Sequence, residues 1–167
     1  VRGFLKKYSD GAIVSHTVNI IGMGESSVAE EIEDMFDAKN PTVAPYAKSG
    51  EVRLRITAKA ETADEADKMC APVVDEICSR LGDVVYGTDM NSIEERVVAL
   101  LKEKGKKIAT AESCTAGYIP KRLTDIPGAS EVFECGIVSY SNDIKTKLLG
   151  VSPKTLETYG AVSEQTA

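Results

Sequence analysis

Two strand-to-helix junctions in the second half of the chain constrain its fold more than any other feature. The first runs from the apolar stretch Ile108-Ala109-Thr110-Ala111 into Glu112-Ser113-Cys114-Thr115, after the lysine-rich Lys104-Gly105-Lys106-Lys107. Glu112, Ser113 and Thr115 mark a helix start there, and Tyr118, Ile119 and Leu123 supply its apolar face. The second passes from the strand-like Ile137, Val138 and Tyr140 into a helix capped by Ser141 or Asn142, with Lys145 in its first turn. Strands of this kind pair in parallel and bring both junctions to one sheet edge. Backbone N–H groups and the positive dipole end of a helix start stabilise an oxyanion, so Ser113 stands where a nucleophile is well served.

A serine is a weak nucleophile and needs a base, either a histidine or a lysine kept neutral by desolvation. The only histidine, His16, lies far off in another apparent domain. Lys145 is therefore the candidate base, buried if it acts as one, and the Tyr140 hydroxyl is placed to pass or position the proton. The same spacing also fits a commoner arrangement, in which Ser113 merely caps a helix and Lys145 is solvated. Cys114 offers a third reading, since a thiol at a helix start can itself be a nucleophile.

The first half of the chain reads as a small α+β unit. Residues 16–21 alternate as a strand, with Val18 and Ile20 on one face and His16 as an unpartnered surface residue. Gly22-Met23-Gly24 turns into a helix opened by a Ser27/Glu30 capping box, with Val28, Ile32, Met35 and Phe36 as its stripe. A phosphate-loop reading of the two glycines fails: Ser27 stands at the third glycine position and Glu25, Glu30 and Glu31 would repel an anion. After the turn at Asn40-Pro41-Thr42, residues 43–46 and 51–58 form a hairpin across Lys48-Ser49-Gly50. A Thr62/Glu65 capping box opens a long helix that ends at Gly82, with Pro72 predicted to kink it. Residues 83–86 give a last short strand and 87–89 a linker. The order strand, helix, strand, strand, helix, strand is that of a split α+β sandwich.

In the second half, Ser92 and Glu95 cap a helix that Gly105 closes, and Ser152-Pro153 begins another that ends near Gly160. Ser163 looks like one more cap, with the chain ending just after it. With the missing initiating Met, this reads as a fragment of a longer protein. The lysines and arginines number 10 against 16 acidic residues over residues 1–90, and 10 against 10 beyond. The negative excess sits on the first unit, where it disfavours nucleic acid and favours a packing or dimerisation role. Cys70, Cys78, Cys114 and Cys135 show no C-x-x-C spacing, and one histidine does not complete a zinc site with them. Reduced thiols fit a cytoplasmic protein. No apolar run approaches a membrane span, and no signal-peptide pattern is present.

Four segments of the second half, taken together, resemble one family. Ala111-Glu112-Ser113-Cys114-Thr115-Ala116-Gly117, Leu123-Thr124-Asp125-Ile126-Pro127-Gly128, Val138-Ser139-Tyr140-Ser141-Asn142 with Lys145, and Gly160-Ala161-Val162-Ser163-Glu164 are similar to the C-terminal domain of the CinA (competence and damage-inducible) family. Asn40-Pro41-Thr42-Val43-Ala44-Pro45-Tyr46-Ala47 is similar to that family's KH-type region.

The resemblance implies three parts: a tail of a preceding domain or linker over 1–15, a KH-type α+β domain over 16–89, and over 90–167 the N-terminal part of a three-layer α/β amidase domain. It implies hydrolysis of nicotinamide mononucleotide to nicotinate mononucleotide and ammonia, without metal or cofactor, in pyridine-nucleotide salvage. Ser113, Tyr140 and Lys145 fall on the family's catalytic positions, and Glu112, Thr115, Gly117, Ser141 and Asn142 on substrate-binding ones. It further implies a homodimer for the full-length protein and an additional N-terminal domain resembling molybdopterin-binding proteins. One departure is Ala116, where the family usually has glycine; another is the absence of a downstream glycine-rich segment that helps form the pocket, so that the fragment is expected to be inactive if it needs that segment. The alternative is a non-enzymatic interaction module, or one that binds single-stranded nucleic acid, although the basic G-x-x-G loop of a nucleic-acid-binding KH module is missing.

Overall fold

The computed structural model describes residues 11–48 and 50–167. Residues 1–10 of the expected tail and Ser49 of the expected hairpin turn fall outside the described residues. The chain divides between Asn91 and Ser92 into two compact units.

The first unit follows β1 (Ala12–Ile21), α1 (Glu25–Glu31), β2 (Thr42–Lys48), β3 (Glu51–Ala60), α2 (Ala63–Leu81) and β4 (Val85–Thr88). Its four strands form one antiparallel sheet in the order β2-β3-β1-β4. The connections are those of a split β-α-β arrangement. Period-two alternation decides which side packs. On β3, Val52, Leu54, Ile56 and Ala58 are buried while Arg53, Arg55, Thr57 and Lys59 turn the other way. α2 contributes Ala66, Cys70, Ile77 and Leu81 to the same core, on one helical face. The Thr62/Glu65 capping box is formed as expected. α2 runs on through Pro72, whose exposed position lets water take the carbonyl that loses its helical donor.

Three expectations are corrected here. β1 starts at Ala12, inside the expected tail, because Ala12 and Val14 pair with Ala60 and Ala58 of β3. α1 begins at Glu25 with Gly24 as its cap and no side-chain cap bond, so the Ser27/Glu30 box is not made. His16 is partnered: Nδ1 lies 2.6 Å from Asp89 and Nε2 2.8 Å from Asp67.

The second unit follows α3 (Ile93–Glu103), β5 (Ile108–Glu112), α4 (Tyr118–Thr124), β6 (Phe133–Val138), α5 (Asn142–Leu149) and α6 (Pro153–Tyr159). Ser92 caps α3 by accepting from the Glu95 N–H. β5 and β6 pair in parallel, with Ala111 opposite Ile137 and Glu112 opposite Val138. Gly136 lets α4 lie close to β6, since a Cβ there would stand 3.0 Å from Pro120. Val98, Leu123, Ala129 and Val132 form the core of this unit. Among the described residues no helix is long and apolar enough to cross a membrane.

Candidate active site

The parallel register carries both junctions to the same end of the two-stranded sheet. Beyond the last strand pair the ladder gains one more rung, in which the Ser139 N–H donates to the Glu112 carbonyl at 2.7 Å. Ser113 and Ser139 therefore follow the two strands side by side. Ser141 caps α5 by accepting from the Ile144 N–H. That start directs Lys145 back under the strand ends, where it is 5% exposed.

Lys145 Nζ lies 3.0 Å from Ser113 Oγ, 2.5 Å from the Ser139 carbonyl and 3.4 Å from the Tyr140 carbonyl. A buried amine without partners is costly, and these oxygens offset that cost. The pair opens onto a cavity of about 190 Å³ lined in part by Glu112, Ser139, Leu149, Val151 and Thr166. Ser113 and Lys145 are thus brought together across 32 residues of chain.

The other expected site residues are placed differently. Tyr140 is 74% exposed and meets Lys145 through its backbone carbonyl, not its hydroxyl. Strand-like alternation explains it: Ser139 turns inward at 3% exposure, so its neighbour turns outward. Glu112 is buried, and its Oε1 accepts the Ile119 N–H at 3.0 Å. Its Oε2 is also buried and without a partner. That carboxylate serves the start of α4 through Oε1, and Glu112 also lines the cavity beside Ser113 and Lys145. Thr115 and Asn142 are exposed, and the Ser141 hydroxyl is engaged as a cap.

The helix start expected at Ser113 lies instead at Tyr118. Residues 113–117 form a turn with left-handed backbone at Ala116 (φ 51°) and Gly117 (φ 90°). Gly117 suits that conformation, whereas Ala116 adopts it at a steric cost. The helix-dipole argument for an oxyanion at Ser113 therefore does not hold. Cys114, next to Ser113, is exposed. Sequence reasoning missed Ser139, although its place one residue beyond a strand paired with Ser113's own strand was a usable signal.

A split β-α-β unit followed by an α/β unit with a serine held against a buried lysine at its strand ends defines the class of this protein. Residues 15–87 match the family described as Damage-inducible protein CinA KH domain, and residues 90–167 that described as CinA C-terminal domain. The chain belongs to the CinA family. It is 56% identical over its whole length to a protein of Clostridium beijerinckii named for competence-damage induction, covering 41% of that protein. It is 48% identical to a CinA-like protein of Desulfovibrio desulfuricans, again over its whole length, and covers 39% of it. The chain thus spans about two fifths of these relatives' length. Among solved structures, a competence/damage inducible protein from Agrobacterium tumefaciens is 47% identical, with 45% of this chain and 46% of that one aligned at a TM-score of 0.44.

Proposed function

We propose that the second unit is a serine/lysine amidohydrolase acting on nicotinamide mononucleotide, with Ser113 as nucleophile and Lys145 as base. The observation that carries this reading is the surroundings of Lys145 Nζ: two carbonyls, which only accept, and one hydroxyl, which can also donate. A neutral amine has two N–H bonds and one lone pair. Nζ donates to both carbonyls and to Ser113 Oγ in this structure, and an amine that keeps its two carbonyl bonds turns its lone pair to the Ser113 O–H when it acts as base.

Ser113 Oγ attacks the carboxamide carbon as its proton passes to Lys145. The resulting ammonium returns that proton to the departing nitrogen, which leaves as ammonia and leaves an ester on Ser113. Water, deprotonated by Lys145, then cleaves the ester to the carboxylate and restores the hydroxyl. Tyr140 contributes a backbone carbonyl to this cycle, and its hydroxyl takes no part.

The test is ammonia release from nicotinamide mononucleotide by this chain, and by a chain extended to the length of its relatives. Ser113→Ala is expected to lower turnover by about a thousandfold or more with KM almost unchanged. Cys114→Ser and Tyr140→Phe are expected to stay within about threefold of the parent, as the exposed positions of both side chains imply. A dead Cys114→Ser beside an active Ser113→Ala would replace the mechanism with a thiol amidase.

A further inference from the structure

We infer that Ser139 is a positioning residue that fixes the nucleophile and the base relative to each other; the inference rests on the serine/lysine reading above. Ser139 is 3% exposed, so its hydroxyl is held for a partner within the protein. Its N–H and its O–H both donate to one oxygen, the Glu112 carbonyl, at 2.7 and 3.2 Å. That carbonyl belongs to the peptide group joining Glu112 to Ser113, so holding it fixes the orientation from which the Ser113 side chain departs. The Ser139 carbonyl accepts from Lys145 Nζ at 2.5 Å, the shortest of the three contacts around that nitrogen. One residue thereby grips the nucleophile's peptide with its donors and the base with its acceptor.

The hydroxyl carries the part of this grip that mutation can remove. Beyond the strand ends a single N–H bond leaves the peptide free to rock about it, and the second donor from the same residue suppresses that rotation. Small misplacements of reacting groups cost large factors in rate, up to about a hundredfold per ångström. The loss should therefore fall on the chemical step and not on substrate binding.

Ser139→Ala and Ser139→Thr are compared in the ammonia-release assay, with rates normalised to the folded fraction measured by circular dichroism at the assay temperature. The expected result is a kcat about tenfold lower for the alanine variant, KM within twofold of the parent, and recovery of most of kcat in the threonine variant, which keeps the hydroxyl. An unchanged kcat in Ser139→Ala, a loss confined to KM, or a threonine variant as impaired as alanine would overturn the inference. The variants are made in the chain extended to the length of its relatives, and if neither that unsubstituted chain nor this one released ammonia, the amidase reading itself would fail and this inference with it. A silent parent is thereby told apart from an active parent with an indifferent Ser139.

Discussion

The two units use burial for different ends. Among the described residues, the first buries thirteen apolar side chains and one polar one, Asn19, beneath a four-stranded sheet. The second buries four apolar side chains and four polar or charged ones, Glu94, Glu112, Ser139 and Lys145, around two strands. Apolar burial stabilises by roughly 25 cal/mol per Å², whereas each buried polar group costs unless it finds partners. The partners in the second unit are specific: Arg122 pairs with Glu94, the Ile119 N–H with Glu112, and three oxygens with Lys145. The first unit is built for stability, and the second commits its interior to orienting polar groups.

Lys145→Met gives the sharpest test of this contrast. It keeps the volume of the side chain and removes the amine, so turnover should fall about a thousandfold or more, like that of Ser113→Ala, and the double variant should be no worse than either alone. Stability should move by no more than about 2 kcal/mol, because relief from burying the amine offsets two carbonyls left without a donor. Chemical denaturation alongside the assay reads both quantities. A variant that unfolds would mean that Lys145 is structural, and the contrast between the units would collapse.

Core deletions should separate the units by stability alone. Leu54 is fully buried on β3, among neighbours from the sheet and α2, and Leu54→Ala should cost about 3–5 kcal/mol. Leu123, at 5% exposure in the smaller cluster, should cost about 2–3 kcal/mol when cut to alanine, because fewer packed neighbours hold the cavity open. Urea midpoints with slopes compared between variants decide it. Equal losses would show that the second core is as well packed as the first.

Much of this architecture was legible in the sequence, and the illegible parts share one physical cause. Alternation on β3, the Thr62/Glu65 capping box and the parallel pairing of β5 with β6 all follow from local periodicity and local side-chain chemistry. The juxtaposition of Ser113 with Lys145 followed from the two junctions. What escaped depends on distant partners. Glu112 bonds to Ile119 beyond a left-handed turn, so the helix expected at Ser113 begins later. Ala12 and Val14 join β1 only because Ala60 and Ala58 wait on β3. Tyr140 was misplaced despite a local rule, since alternation from the inward Ser139 already turns it outward.

The smallest effect concerns His16 in the first unit, where a polar cluster sits at the rim of an apolar core. Its ring nitrogens face Asp89 and Asp67, from the end of β4 and from α2, and these hydrogen bonds raise its pKa above the ordinary 6.5 against a lesser opposing effect of burial. The proton is bound more tightly in the folded state than in the unfolded one, so its contribution to stability is complete below about pH 6.5 and fades as pH rises through the elevated folded value. Solvent reaches both carboxylates, at 58% and 51% exposure, and screening keeps the contribution below about 1 kcal/mol. Asp89 also accepts the Thr17 N–H at 2.7 Å, so part of the cluster survives when the imidazole is neutral. Melting temperature should therefore fall by a few degrees at most between pH 6 and pH 8, and His16→Gln should remove that slope while leaving ammonia release at fixed pH unchanged. A slope that persists in His16→Gln would assign it to another group. One that vanished together with activity would show that the rim of the first core and the polar interior of the second are not independent, and the contrast between the units would have to be redrawn.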